Sequence, residues 1–208
     1  MNNNLVVAIT RTCGSGATSI SKILSERLKV NVYDRNLLRL ASDDSGINEE
    51  LFAKVDEHMK QSLLYRISKK VYNGELIPPD SDDFTSNDNL FNYQAKVLKE
   101  LADNESYICI GRAADYILKD HPKLVSIYVC ASLENCIKRE MERLSYDAKK
   151  AEQHILSTDK YRGEFYKYHT GREWKDPRNY DLCLNTGKLT YEECVDIIEN
   201  YIKTRFGD

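Results

Sequence analysis

Five short apolar runs punctuate the chain: Leu5–Ile9, Val30–Tyr33, Tyr107–Ile110, Leu124–Cys130 and Tyr180–Leu184. Most are nearly continuous rather than alternating, which is the pattern of strands covered on both faces. Between them the apolar positions recur at helical spacing. Ile20, Ile23, Leu24 and Leu28 form one stripe, Cys136, Ile137, Met141 and Leu144 a second, and Val195, Ile197, Ile198 and Ile202 a third. Strands that alternate with helices need crossover connections, so the pattern predicts an α/β fold in three layers. A five-stranded parallel sheet would lie between two layers of helices.

The second and third runs are separated by roughly 70 residues, far more than one crossover needs. A helical pattern covers Asn48 to Val71, a polar break "GELIPPDSDDFTSNDN" follows, and a further helix is predicted from about Asn89 to Leu101. We read residues 1–208 as one domain. The stretch from about 45 to 103 is then a helical insert at the ligand-binding edge of the sheet, and about 139 to 178 a helical segment that is a candidate lid.

The first strand runs into "TRTCGSGATS" and then a helix. In that setting Gly14, Ser15 and Gly16 allow tight curvature, and the amides of residues 13–19 with the helix N-terminus make an anion site. A glycine turn that only starts a helix is the plainer alternative. Two further pieces favour the anion site. Gly111-Arg112 ends the third apolar run, at the edge where open α/β sheets bind ligands, and an arginine fork there suits a phosphate. After the second run, "YDRNLL" offers Asp34 and Arg35 at the same edge.

Composition narrows the function classes. The chain is 41% hydrophobic and 30% charged, with no apolar run near the ~18 residues of a membrane helix. Nothing at the N-terminus reads as a signal peptide. A net charge of −3 gives no reason to expect a nucleic-acid partner. The six cysteines are scattered, with no CxxC and no histidine at metal-ligand spacing, which argues against disulfides and zinc and for a reducing cytoplasm. Cys109, Cys130 and Cys183 fall inside apolar runs and are expected to be buried. From Lys138 to Lys175 there are ten Lys/Arg against seven Asp/Glu, a basic stretch on an acidic chain. That is either a solvated face or a lid over phosphates.

Taken in order, these segments resemble the cytidylate kinase-like branch of the P-loop nucleoside-monophosphate kinases, nearly end to end. "AITRTCGSGATSISKILSERLKVNVYDRNLL" is similar to the opening of that branch, in which an arginine precedes a GSG loop without the usual lysine. "GRAADYILKDHP" is similar to its third-strand segment, and "YDLCLNTGKLTYEECVDII" to its last strand and helix. "YHTGREW" at 168–174 matches the branch's YTGxxW with His169 added. The resemblance implies the P-loop NTPase fold, ATP and Mg²⁺ as cofactors, and nucleotides as small-molecule substrates.

Departures from the ordinary cytidylate kinases matter as much. Ala17 stands at the lysine position, so the hydroxyl for Mg²⁺ would come from Thr18 or Ser19. The acidic residue expected after Gly-Arg is Ala113, with Asp115 two positions on. The arginine expected after the second strand aligns with Leu40, beside Arg39. Positive charge for phosphoryl transfer must then come from elsewhere. Arg11 before the loop, Arg139 and Arg143 four apart on one helix face, and Arg162 with Lys160 in the lid segment are the candidates. Cys13 to Ser19 would bind the donor phosphates, and Asp34, Arg35, Arg112 and Asp115 the acceptor, CMP or dCMP first. Two alternatives stay open: a kinase-like protein that binds nucleotide without catalysis, and a transferase with a non-nucleotide acceptor.

Overall fold

The computed structural model describes residues 4–34, 67 and 87–207. The expected helix at 48–71 apart from Ile67, most of the polar break, and Arg35, Arg39 and Leu40 lie outside them. Among the described residues the five strands are β1 (Val6–Arg11), β2 (Asn31–Tyr33), β3 (Tyr107–Ile110), β4 (Leu124–Cys130) and β5 (Leu182–Asn185). They form one parallel sheet in the order β2-β3-β1-β4-β5. The helices are α1 (Ala17–Leu28), α2 (Asn87–Asn104), α3 (Ala114–Ile117), α4 (Leu133–Leu144), α5 (Ala148–Thr170) and α6 (Tyr191–Phe206).

Side chains alternate along a strand, so a buried strand feeds two cores. Val7 and Ile9 of β1 pack with Ile20 and Leu24 of α1 and Val195 and Ile198 of α6. Val6 and Ala8 face the opposite layer, with Val97, Leu98 and Leu101 of α2 and Leu118 just after α3. This is why the apolar runs are continuous. The side chain of Ser132 caps α4, Asp147 caps α5, and Thr190 with Glu193 forms a capping box on α6.

The strand boundaries that shift most from expectation are the end of β1 and the start of β5. β1 runs on to Arg11, because Thr10 and Arg11 continue in register with Tyr128 and Val129 of β4. β5 begins at Leu182, after a 3₁₀ turn at Pro177–Asn179. Cys183 is exposed rather than buried: β5 is the edge strand, and only Leu184 in it is buried. Cys130 is half-buried and Cys109 buried.

Asp115, in the first turn of α3, ties three elements together. Its buried carboxylate accepts the Tyr166 hydroxyl of α5 at 2.6 Å and the Thr10 hydroxyl of β1 at 3.4 Å. Burial raises its pKa above the ordinary carboxyl value, against the lowering effect of these hydrogen bonds. The folded state therefore keeps this proton to higher pH than the unfolded chain does, and wild-type stability falls as pH rises between the two values. Denaturant titrations of wild type and Asp115→Asn between about pH 4 and pH 7 should show the variant gaining on wild type as pH rises, by at most about 1.4 kcal/mol per pH unit. A pH-independent difference would mean that the carboxyl titrates alike in both states.

Candidate functional site

The loop between β1 and α1 bends through Gly14 at φ 74° and Gly16 at φ 82°, conformations that cost glycine nothing. Close approach also requires glycine here. A Cβ on Gly14 would stand 2.8 Å from the Cys136 carbonyl oxygen, and one on Gly16 2.3 Å from the Tyr191 ring. Gly16 starts α1 with no side-chain cap, which leaves the first amides of the helix for an anion.

The loop is held from behind through its carbonyls. The Thr186 hydroxyl, in the turn after β5, donates to the Ser15 carbonyl at 2.7 Å. Arg139 of α4 donates to the Thr186 hydroxyl at 2.8 Å, to the Thr186 carbonyl at 2.9 Å and to the Gly14 carbonyl at 3.3 Å. In a trans peptide the N–H points opposite to the C=O. Fixing the Ser15 carbonyl on Thr186 therefore turns the Gly16 N–H the other way. The Arg139 guanidinium also lies over the Tyr191 ring, 5.4 Å from its centroid, so ring and cation brace the loop together.

At the lysine position the Ala17 methyl is buried in the core formed by Ile9, Ile20 and Leu184. Thr18 and Ser19 are exposed at the start of α1. A hydroxyl in that place fits a hard oxygen-seeking cation such as Mg²⁺.

Three guanidinium groups converge beside the loop. Gly111, Arg112 and Ala113 all take left-handed backbone at φ 79°, 61° and 52°, which costs the two non-glycine residues about 1–2 kcal/mol each. This turn sends the chain off the end of β3 past Arg11. An Nη1 atom of Arg11 would lie 2.2 Å from a Cβ on Gly111, so the glycine makes room for the cation. Arg11, Arg112 and Arg162 line one cavity of about 110 Å³ with Phe165, Tyr161 and Trp174, and Arg112 stands 5.8 Å from the Phe165 ring centroid. Burial, and next the Arg162 charge, pull Arg11 down to about 10, while Asp34 at the end of β2 works the other way. Arg11 stays charged at neutral pH. Three like charges around a half-enclosed apolar-walled cavity favour an anion.

Between the loop and the arginines stands Asp159 of α5. Its Oδ1 accepts the Cys13 N–H at 2.8 Å and an Arg162 N–H at 3.4 Å. Arg162 also donates to the Arg11 carbonyl at 3.4 Å. Burial raises the Asp159 carboxyl and the Cys13 amide lowers it. Burial, followed by the Glu140 charge, pushes the Cys13 thiol up to about 11, so it is protonated at neutral pH.

The structure thus brings Arg11, Arg112, Arg162 and the loop together, with Asp34 near Arg11. Arg139 serves as a brace, and Arg143 points away, its fork closed on Glu140 at 2.5 and 3.1 Å. Asp115 is spent on Tyr166 and Thr10. Sequence reasoning missed Asp159, Thr186, Tyr191 and Gln94. Gln94 in α2 is 1% exposed, and neither amide atom has a hydrogen-bond partner among the described residues. It lies one helical turn beyond Phe91, whose ring stacks on His169 at 4.0 Å and meets Phe165 of the arginine cavity edge-on at 6.0 Å. A polar residue inside an apolar helical stripe was the available signal.

Solved structures share this architecture. An uncharacterized protein from Eubacterium ventriosum superposes with a TM-score of 0.73 at 24% identity, covering 97% of this chain and 100% of that one. A shikimate kinase from Bacteroides thetaiotaomicron does so at 0.52 and 12%, covering 96% and 98%. Among curated proteins, a cytidylate kinase of Sulfurisphaera tokodaii is 24% identical over 201 residues, 95% of each chain. A cytidylate kinase of Methanopyrus kandleri is 24% identical over 205 residues, 94% of this chain and 92% of that one. The profile of the cytidylate kinase-like family spans residues 6–188, both strand-edge sites included. With the glycine loop, the arginine turn after β3 and the closing strand all inside that span, this chain belongs to the cytidylate kinase-like family.

Proposed function

We propose that the protein transfers the γ-phosphoryl group of ATP to a nucleoside monophosphate, with CMP or dCMP as the first acceptor to test. The observation that carries this reading is the adjacency of two anion sites: the braced glycine loop and the cavity of Arg11, Arg112 and Arg162. A donor and an acceptor phosphate held side by side are what in-line transfer needs. The relatives at low identity support the nucleotide class.

The loop amides hold the donor phosphates, and Arg112 with Arg162 holds the acceptor phosphate. Arg11, next to both, supplies the charge that a lysine at position 17 would have brought. A Mg²⁺ held through Thr18 or Ser19 would neutralise charge on the donor phosphates. Asp159 yields the Cys13 amide to the donor and keeps Arg162 aimed at the transferring group. Gln94 offers both a donor and an acceptor to a base edge. The buried Ala17 methyl favours a second reading, a protein that binds nucleotide but does not turn it over.

A coupled assay of ADP release across nucleoside monophosphates, sugars and shikimate tests the proposal. Turnover with CMP or dCMP is the expected result. Nucleotide-dependent thermal stabilisation without turnover on any acceptor would establish the second reading instead. Arg11→Ala should lower kcat/KM by about 10²–10³-fold with an unchanged circular dichroism spectrum; a variant with normal kinetics removes Arg11 from the mechanism. Gln94→Leu should raise KM for the preferred base about tenfold or more while leaving stability equal or higher, since it removes a buried amide that has no partner among the described residues. Loss of stability with unchanged KM would make Gln94 a packing residue only.

A further inference from the structure

Beneath the glycine loop, three metal-ligating side chains from distant parts of the chain meet. Cys13 comes from the loop, Glu140 from α4 and His154 from α5, and one ligand atom of each lies within 4.8 Å of the other two. Among the described residues this is the one such group. Cys13 and Glu140 are 5% and 4% exposed, and the His154 side chain is about one-third exposed, which leaves an ion a path from solvent. His154 Nε2 already stands 3.8 Å from Glu140 Oε2.

We propose that Cys13, Glu140 and His154 form a site for a thiophilic divalent cation, Zn²⁺ in the first instance, that pins the phosphate loop to α4 and α5. The donor set of one sulfur, one imidazole nitrogen and one carboxylate oxygen matches borderline-soft Zn²⁺ and disfavours Mg²⁺ and Ca²⁺, which take oxygen. Ligand atoms bound tetrahedrally at about 2.0–2.3 Å stand about 3.5 Å apart, so the cluster closes by on the order of an ångström at most. Rotation of the partly exposed His154 supplies most of that movement. A water or an exogenous ligand takes the fourth position.

Arg143 holds both oxygens of Glu140, at 3.1 and 2.5 Å. A carboxylate has about four lone-pair directions, so Glu140 can ligate the ion through one and keep Arg143 on another. The guanidinium then acts as an outer partner that fixes the carboxylate, as such partners do at metal sites. On uptake the Cys13 S–H bond breaks, its proton passes to solvent, and the sulfur lone pair forms the S–Zn bond; no oxidant or reductant is involved. Around the cluster, Cys136, Ile155 and Ile137 exclude water and strengthen the bonds.

The assignment does not rest on the proposed kinase reaction, and its test reads binding directly. Full-length protein stripped with chelator and kept reduced is titrated with ZnCl2 in excess Mg²⁺ against a competing indicator. One Zn²⁺ per chain with Kd below about 1 μM is expected, together with a higher melting temperature. Cys13→Ser and His154→Gln should each weaken binding tenfold or more. Co²⁺ should give a thiolate-to-cobalt absorption band that His154→Gln retains more weakly and Cys13→Ser loses. His154→Gln alters a partly exposed helix position, so it keeps the test decisive even if Cys13→Ser folds poorly. Absence of a stoichiometric site, or binding that His154→Gln leaves at the wild-type value, overturns the assignment.

Discussion

The Thr186 hydroxyl on the Ser15 carbonyl is the contact on which the site depends. A glycine-rich loop left to itself samples both signs of φ and presents no fixed set of donors. Thr186 holds one peptide plane, Arg139 holds Thr186 at two points, and the Tyr191 ring closes over Gly16. The bracing residues come from α4, the turn after β5 and the start of α6, so the loop near the N-terminus takes its shape from the far half of the chain. Preorganised amides act on developing charge without a reorganisation cost when the ligand arrives.

Charge is balanced by the same geometry. Arg11 and Arg162 line the same cavity, and each is steadied by a carboxylate, Asp34 for Arg11 and Asp159 for Arg162. Asp159 also accepts the Cys13 amide, so this donor of the loop is taken up by a side chain of the chain itself. The left-handed run at Gly111, Arg112 and Ala113 is the backbone strain that aims the third arginine at the same point.

Helix α5 links the chemistry to the fold. Its residues reach the arginine-lined cavity through Arg162 and Phe165, the loop through Asp159, the turn after β3 through Tyr166 on Asp115, and the candidate cation cluster through His154. Among the described residues no helix is long and apolar enough to cross a membrane. The polar positions of α5 instead face the loop, the arginine turn and solvent.

Periodicity alone located all five strands and the helices that follow the first, fourth and fifth, because a strand buried on both faces must be apolar throughout and a helix on a sheet must carry a stripe. The glycine loop and Arg112 were legible for a similar reason: curvature and close approach restrict residue choice locally. Partners were not legible. Arg139 and Arg143 share a helix face, yet one reaches Thr186 while the other closes on Glu140, three residues away. Ala17 reads in the sequence as a missing cation and in the fold as a core methyl. Cys183 sits in an apolar run but on an edge strand, and Cys13, Glu140 and His154 have no spacing in common. Local pattern reports the environment that backbone geometry imposes within a few residues, whereas which charge meets which carbonyl is set by the packing of helices whose sequence separation carries no such information.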